Sequence, residues 1–174
     1  MLMRAICGLI RVDGGSIEVD GKRVGVDVDG PPSVGLLIEN SGFIDGFTGF
    51  ENLWLLAQLT GRIGRDEVES VLELVGLGDA GAKAYRTYSL GMKQRLGIAA
   101  AVMESPDLLV LDEPTNALDE SGVALIQDIV HAQADRGAAV LVASHDAVVL
   151  SALADRIYKL YEGRIKGEVC CESA

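Results

Sequence analysis

The stretch that decides the fold runs from residue 108 to residue 119 and reads LLVLDEPTNALD. It begins with a continuous apolar run, Leu108 to Leu111, of the kind that forms a strand buried on both faces of a parallel sheet. Val34 to Ile38 and Val140 to Ala143 have the same character, and helices are predicted between the three runs. This alternation predicts an α/β fold with a parallel sheet flanked by helices, in which ligands bind at the carboxyl ends of the strands.

Start and stop signals place the remaining elements. The capping box that begins at Thr48 predicts a helix start, and Pro106 ends the helix that is predicted from Ser89 to Glu104. Helices are also predicted over about 66–75, about 120–133 and the opening residues Met1 to Ile10. Hairpins are predicted around Asp20-Gly21 and between Arg156–Tyr161 and Arg164–Val169.

Composition and charge bound the function. The chain has 174 residues, 49% of them hydrophobic, which suits one globular domain and excludes intrinsic disorder. Its 15 basic and 26 acidic residues give a net charge of −11, the wrong sign for binding nucleic acid or an anionic bilayer through bulk charge. The 3 cysteines lack metal-binding spacing, and no apolar run is long enough to span a bilayer. These features predict a protein of the reducing cytosol that reaches a membrane only through a partner.

Two adjacent acids, Asp112 and Glu113, directly follow the first apolar run. Because neighbouring residues of a strand point to opposite sides of the sheet, the two carboxylates are expected to have different roles. One would hold a magnesium ion, and the other would face the water that attacks a phosphoryl group. Two acids after a strand can also simply cap the next helix or lie in solvent.

The helix predicted from Ser89 offers an anion site at its N-terminus. The Ser89 hydroxyl and the unobstructed backbone amide of Gly91 would lie at the positive end of the helix dipole, and Lys93 and Arg95 would add cationic character. The plainer alternative is a helix N-cap without a ligand. His145, which follows the strand predicted at Val140 to Ala143, is by itself also compatible with a solvated or packed histidine.

Together these segments resemble the motifs of the ATP-binding-cassette (ABC) ATPases. The stretch 108–119 resembles the Walker B strand and D-loop, and His145 resembles the switch histidine. Tyr88 to Leu96 resembles the signature sequence in the spelling of bacitracin- and lantibiotic-resistance-type exporters. The order and spacing of the three motifs agree with the family, and Tyr161 to Ile165 resembles its closing hairpin. The resemblance covers essentially the whole chain.

The resemblance implies a P-loop NTPase-like fold in a single domain over residues 1–174, with a helical subdomain at about 43–104 and a small antiparallel β element. It implies ATP and Mg²⁺ as cofactors, with Asp112 as a magnesium ligand, Glu113 as the general base and His145 as a contact of the γ-phosphate. The residues that the same resemblance assigns to nucleotide binding are Ser89, Gly91, Gln94, Glu39 and Asp119, and Asp119 would also shape a dimer interface.

The resemblance also implies partners. In the family the signature helix binds the γ-phosphate of ATP held by the opposite subunit, which implies a dimer with a second ATP-binding subunit. ATP hydrolysis would power export of peptide antibiotics or other drugs through a separate transmembrane permease. The chain would then be a cytoplasmic protein on the inner face of the cell membrane, attached through the permease and binding no nucleic acid. Segment Gly42 to Leu59, with Phe43, Phe47, Phe50 and Trp54, mainly suits core packing, and an exposed aromatic edge in it would dock a coupling helix of the permease.

Glu39 departs from the family's pattern, which usually has glutamine after this strand. In the family that residue contacts magnesium and the attacking water. Glutamate keeps an oxygen ligand and adds a negative charge, so a metal and nucleotide contact is still implied for Glu39. A solvated loop acid is the plainer alternative.

The 174 residues do not contain the string G-x-x-x-x-G-K-[ST], whose amides and lysine surround the phosphates of a nucleotide. Met1 to Leu9 resembles the helix that follows this string, so we expect the chain to begin just past its P-loop and to lack the strands before it. The sheet would then lack an interior strand, which predicts that this chain is marginally stable in isolation. Because the phosphate-binding string is absent, we also expect this chain alone to bind ATP weakly and to hydrolyse it negligibly. Two alternatives stay open: a non-catalytic interaction subunit, and an ABC ATPase that acts on DNA or ribosomes, which the acidic charge and compact length disfavour.

Overall fold

The computed structural model describes residues 1–38 and 42–170. The described helices are α1 (Leu2–Ile6), α2 (Gly49–Thr60), α3 (Arg65–Leu74), α4 (Leu90–Val102), α5 (Glu120–Asp135) and α6 (Ala147–Leu153). The described strands are β1 (Glu18–Val19), β2 (Lys22–Arg23), β3 (Val34–Leu37), β4 (Leu108–Asp112), β5 (Ala139–Ala143), β6 (Arg156–Tyr161) and β7 (Arg164–Cys170). Within the described ranges, no helix is both long enough and apolar enough to cross a membrane.

The central sheet contains three parallel strands in the order β3-β4-β5. β4 lies in the middle, and its residues Leu108 to Leu111 are buried, as its continuous apolar sequence predicts. The register pairs Leu37 with Leu111 and Asp112 with Ala143, so the carboxyl ends of β4 and β5 lie side by side. The predicted α/β fold with a parallel sheet is therefore confirmed.

The two faces of β4 contribute to two separate cores. Leu109 and Leu111 join the large core, which also contains residues of α2, α3, α4 and α5. Leu108 and Val110 pack with Cys7 on the opposite face, as expected for alternate residues of a strand. Because both faces of β4 are covered, the position at which the chain leaves the sheet after Asp112 is fixed from both sides.

Gly35 allows α4 to lie directly on β3. A Cβ atom at this position would collide with the carbonyl oxygen of Ala101 and would lie 2.7 Å from Cγ of Pro106. Since Ala101 belongs to α4, the missing side chain sets the distance between this helix and the sheet. The same helix carries the signature residues at its other end.

The helical segment between β3 and β4 starts at the predicted capping box. The Thr48 hydroxyl accepts a hydrogen bond from the Glu51 amide at 3.0 Å, and the Glu51 carboxylate accepts one from the Thr48 amide at 2.7 Å. Buried Asn52 joins α2 to the residues before it, because its Nδ2 donates to the carbonyl oxygens of Ile44 (3.1 Å) and Thr48 (3.0 Å). Its Oδ1 accepts from the Ile44 amide at 2.7 Å. The prediction of a helix start at Thr48 is confirmed.

One expectation about local structure is wrong, and one helix was not predicted. The opening helix, predicted over Met1 to Ile10, ends at Ile6. Gly8 has a φ of 74°, and a side chain at this position would collide with the carbonyl oxygen of Asp29, so the chain turns here. The sequence analysis also misses α6, a short apolar helix that begins at the side-chain cap of Asp146.

The two predicted hairpins are present as β1-β2 and β6-β7. Each turn has two residues in the left-handed region: Asp20 and Gly21 have φ values of 51° and 73°, and Glu162 and Gly163 have φ values of 49° and 73°. This backbone matches the twist of antiparallel strands that are joined by two residues. The hairpins are small antiparallel sheets, separate from the parallel one.

Candidate active site

The candidate site lies at the carboxyl ends of β4 and β5. Asp112 is the last residue of β4, and the next residue, Glu113, donates its backbone amide to the carbonyl oxygen of Ala143 at 2.8 Å. This bond continues the parallel register by one residue and places Glu113 beside Ser144 and His145. The edge of the sheet that the sequence indicates for ligand binding therefore brings together residues separated by about thirty positions.

Glu113 has a left-handed backbone, with a φ of 48°. This conformation is uncommon for a residue with a side chain and costs about 1–3 kcal/mol unless the surroundings enforce it. Its carbonyl oxygen accepts hydrogen bonds from Nε2 of Gln94 at 2.9 Å and from the amide of Asn116 at 3.2 Å. The expectation that strand alternation sets the directions of both acids is thus wrong for Glu113, since β4 ends at Asp112 and a turn aims the second carboxylate.

The Glu113 carboxylate is held by the end of β5. Its Oε2 accepts from the Ser144 hydroxyl at 3.1 Å, and its Oε1 accepts from the His145 amide at 2.9 Å. Nδ1 of His145 also lies 2.9 Å from Oε1. An ionised carboxylate only accepts hydrogen bonds, so Nδ1 carries the hydrogen in this contact. The pKa of His145 is raised above its ordinary value of 6.5, first by this hydrogen bond and then by the negative charge of Glu113.

Asp112 supplies a half-buried carboxylate at the end of β4. A single carboxylate that acts with the phosphates of a substrate is a common way to hold Mg²⁺, so this residue fits the expected metal. Glu39, which was expected to contribute a second oxygen, lies outside the described residues. Within residues 1–38 and 42–170, no three residues of the types His, Cys, Asp and Glu form a group that could hold a metal by themselves.

The N-terminus of α4 is capped by Ser89, as predicted. The Ser89 hydroxyl accepts a hydrogen bond from the Met92 amide at 3.2 Å, and both Ser89 and Leu90 are exposed. Gly91 packs closely: a Cβ atom there would lie 2.9 Å from the carbonyl oxygen of Ala117. This close contact with the loop after β4 accounts for a glycine at position 91. It does so independently of any role of the Gly91 amide in binding an anion.

The two cations near this helix end have partners within the chain. Lys93 places Nζ 4.7 Å from the centre of the Tyr85 ring, and Arg95 places a guanidinium nitrogen 3.7 Å from Oδ1 of Asp119. Asp119 is the N-cap of α5, where Oδ1 accepts from the Gly122 amide at 2.8 Å. That hydrogen bond is the main reason why the pKa of Asp119 is lowered. Lys93 and Arg95 thus also connect elements of this chain.

The aromatic residues of the helical segment mostly face inward. Phe43 packs edge-on against Tyr85 at a ring distance of 5.3 Å, and the Arg65 guanidinium lies over Phe50 and Trp54. Phe47 is the most open of the aromatic residues in this segment, with 39% of its surface exposed. The inward packing of this segment agrees with the prediction that core packing accounts for most of its aromatic residues.

The structure brings together four residues at this edge, namely Gln94, Glu113, Ser144 and His145. Sequence reasoning named three of them and missed Ser144, whose only signal was a hydroxyl directly after a predicted strand. It also missed the bond that Gln94 makes within the chain, because two residues that are 19 positions apart on different elements leave no periodic pattern.

This arrangement of strands and helices is that of an ATP-binding cassette. The dimeric structure of the post-hydrolysis state of the ATP-binding cassette MJ0796, bound to ADP and Pi, superposes with a TM-score of 0.87 at 22% sequence identity. The match covers 99% of this chain and 80% of that one, and at this identity it establishes the fold.

Sequence comparison identifies the family. The family profile described as ABC transporter matches residues 1–116. The uncharacterized ABC transporter ATP-binding protein YybJ of Bacillus subtilis is 39% identical over 166 residues, which cover 95% of this chain and 76% of that protein. The bacitracin transport ATP-binding protein BcrA of Enterococcus faecalis is 44% identical over 137 residues, which cover 78% of this chain and 44% of that protein. The chain belongs to the ABC transporter family, and it spans less than half of the length of the second relative.

Proposed function

We propose that this chain is an ATP-binding and ATP-hydrolysing subunit of an ABC transporter that powers export through a separate permease. The observation that carries the proposal is the position of the Glu113 carboxylate. It stands at the carboxyl end of β4, one residue after Asp112, and is held by Ser144 and His145, which directly follow β5. An acid fixed in this way beside a metal-binding carboxylate suits phosphoryl transfer to water.

Glu113 would act as the general base. A carboxylate has about four acceptor positions, and three of them are used by the Ser144 hydroxyl and by the amide and ring of His145. One position on Oε2 is left for a water molecule, whose proton the carboxylate would take as the water attacks. His145 keeps the carboxylate oriented and contributes a ring that can also turn toward a phosphate.

Asp112 would hold Mg²⁺ together with the phosphates of the nucleotide, and Glu39 would be its second contact by resemblance. When bound, the ion supplies charge neutralisation at the transferred phosphoryl group. Asp112 is half-buried as the last residue of β4, and its pairing with Ala143 of β5 fixes its backbone relative to the sheet. A fixed oxygen ligand of this kind is suited to a cation that demands regular geometry.

The N-terminus of α4 would serve a second subunit. Ser89 and Leu90 are exposed at the start of a helix of 13 residues, so the tip is accessible to a nucleotide that another subunit presents. The dimeric arrangement of the related cassette supports this geometry. Ser89 and Gly91 would then contact the partner's nucleotide, and Gln94 and Asp119 would lie close to the seam between the subunits.

A permease and a peptide-antibiotic cargo complete the proposal. The relative from Enterococcus faecalis is named for bacitracin transport, which favours export of such peptides. We further propose that residues of about 43–104 form a helical subdomain, supported by α2, α3 and α4, and that its open aromatic residue Phe47 contacts the permease. The chain would lie at the inner face of the cell membrane through that contact.

The test measures ATP hydrolysis by three membrane-extracted complexes, which contain the wild-type chain, the Glu113→Gln variant or the Glu162→Gln variant. Both residues are glutamates with a left-handed backbone, at φ values of 48° and 49°, and Glu162 lies in the turn of the β6-β7 hairpin. Glu113→Gln should lower magnesium-dependent phosphate release by about 100-fold or more while ATP remains bound. Glu162→Gln should hydrolyse ATP like the wild type.

A second candidate function is that of a non-catalytic interaction subunit. Phosphate release at the background level by both the wild-type and the Glu113→Gln complexes would support that function and reject the hydrolytic one. ATP retention by the complex, measured in parallel, separates a subunit that binds without hydrolysis from one that does not bind.

A further inference from the structure

The first turns of α4 hold the loop between β4 and α5 at three points. Nε2 of Gln94 donates to the carbonyl oxygen of Glu113 at 2.9 Å, at the start of the loop. The Arg95 guanidinium lies 3.7 Å from the carboxylate of Asp119, at its end. Gly91 packs against the carbonyl oxygen of Ala117 in between. Helix and loop are therefore joined along the whole length of the loop.

This loop needs external support because of its backbone. Glu113 and Ala117 are not glycines, yet their φ values are 48° and 61°. Each such residue costs about 1–3 kcal/mol, so neighbouring groups must favour the conformation. The Asn116 amide, which also donates to the Glu113 carbonyl oxygen, belongs to the loop itself. Gln94 donates to the same oxygen from a different element, and can therefore fix the loop relative to α4.

We propose that Gln94 is a positioning residue whose side-chain amide fixes the left-handed backbone of Glu113 and thereby couples the orientation of α4 to the direction of the Glu113 carboxylate. The inference rests on the proposed function for the role of that carboxylate in hydrolysis. It assigns Gln94 a task within its own chain, in contrast to the nucleotide contact that resemblance implies. A tilt of α4 would then change the position of Ser89 and of Glu113 together.

The physical basis is the connection between backbone and side chain at one residue. The Glu113 amide is tied to Ala143 of β5 at 2.8 Å, and its carbonyl oxygen is tied to Gln94 of α4 at 2.9 Å. With both ends of the residue fixed, the carboxylate can reach Ser144 and His145. Loss of the Gln94 donor frees one end, so the carboxylate should spend less time against His145.

The first experiment needs no nucleotide and uses nuclear magnetic resonance on this chain. Gln94→Met keeps an unbranched side chain of similar length and removes the amide donor. We expect the carbonyl carbon signal of Glu113 to move upfield and the pKa of His145 to fall toward its ordinary value. Gln94→Lys keeps a donor of similar reach and should leave the carbonyl signal near its wild-type position. Gln58→Met, at an exposed site of α2, is the matched control and should change neither signal.

The second experiment measures hydrolysis by the membrane-extracted complex. A positioning role predicts that Gln94→Met lowers kcat by up to about 100-fold while KM for ATP stays within about twofold. A nucleotide contact would instead raise KM. Partial recovery of kcat in Gln94→Lys would support the donor as the cause and would exclude general misfolding.

The outcomes separate this proposal from the proposed function. If Gln94→Met leaves both the Glu113 carbonyl signal and the His145 pKa at their wild-type values, the positioning role is rejected. It is also rejected if an active complex responds to Gln94→Met through KM alone or not at all. If the complex proves inactive with the wild-type chain, the hydrolytic function fails, and the nucleotide-free signals still decide whether Gln94 positions Glu113.

Discussion

Nδ1 of His145 lies 2.9 Å from Oε1 of Glu113, and the backbone amide of His145 donates to the same oxygen at the same distance. Oε1 of Glu113 therefore contacts both the backbone amide and the ring of His145, which follows the neighbouring strand β5. The two residues that resemblance assigns to hydrolysis are therefore in direct contact with each other.

This pair predicts a pH dependence with a definite sign. The pKa of His145 is raised above 6.5 in the folded chain, mainly by the hydrogen bond to Glu113. Its contribution to stability is therefore fully present below about pH 6.5 and is lost as the pH rises through the folded value. Glu113→Gln should lower the pKa of His145, which is read from its ring signals in a pH titration by nuclear magnetic resonance.

Glu162→Gln is the control for this titration and should leave the His145 signals unchanged. The chain has 2 histidines, so a His131→Gln background assigns the signals to the correct ring. A His145 pKa that is the same in Glu113→Gln and in the wild type would contradict the pairing. Above about pH 6.5, the free energy of unfolding should also depend less on pH in Glu113→Gln than in the wild type.

We expect the single methyl group that Gly35→Ala adds to lower the free energy of unfolding strongly. The Cβ of Gly35→Ala would collide with the carbonyl oxygen of Ala101, so α4 must move away from β3. Overpacking of this kind costs about 1–3 kcal/mol, and we expect the upper end because the obstacle is backbone. Chemical denaturation of Gly35→Ala measures the loss. Gly46→Ala, which has no other group within 4 Å of its new Cβ, should stay within about 0.5 kcal/mol of the wild type.

We expect the loss of the buried hydrogen bonds of Asn52 to lower the free energy of unfolding. Its side chain satisfies both the amide and the carbonyl oxygen of Ile44, and only 3% of the residue is exposed. Asn52→Leu keeps a similar volume and leaves these groups without partners, which should cost about 1–3 kcal/mol in the free energy of unfolding. Gln58→Leu, on the exposed side of the same helix, should cost less than about 0.5 kcal/mol. Equal losses in the two variants would show that the Asn52 bonds do not stabilise the segment.

The sequence predicts features that depend on neighbouring residues. A continuous apolar run identifies β4, the Thr48 and Ser89 caps identify the starts of α2 and α4, and Glu113 and His145 follow predicted strands. The register of β4 against β5 then brings Glu113 and His145 together. The alternation of side chains along a strand does not specify this register. The left-handed turn at Glu113 leaves no signal in the sequence, because glutamate rarely adopts it.

Features that depend on distant contacts are missed. Gln94 receives its partner from a loop that lies 19 positions further on. Packing between elements decides this contact, and the sequence pattern within α4 is silent about it. Ser144 is missed for the same reason, since its hydroxyl gains a role only when β5 lies beside β4.

The Asp119 carboxylate contributes to α5 through its N-cap hydrogen bonds and through its negative charge, and substitutions can separate the two contributions. Its carboxylate accepts from the Gly122 amide at 2.8 Å and from the Ser121 hydroxyl at 3.0 Å, and its pKa is lowered mainly by the first of these bonds. The stabilisation is therefore present above the ordinary aspartate pKa and is lost as the pH falls through the lower folded value. Asp119→Ala removes the acceptor, so the Gly122 amide should exchange its hydrogen faster with solvent.

Asp119→Asn keeps an acceptor for the Gly122 amide and loses the charge that faces Arg95. Its Gly122 exchange should lie between those of the wild type and Asp119→Ala, and its exchange protection should no longer change with acid through the aspartate titration. Asp128→Asn, at an exposed position within the same helix, removes one negative charge without touching the cap and should leave Gly122 protection as in the wild type. Identical Gly122 protection in Asp119→Ala and the wild type would rule out the cap as the main role of this carboxylate.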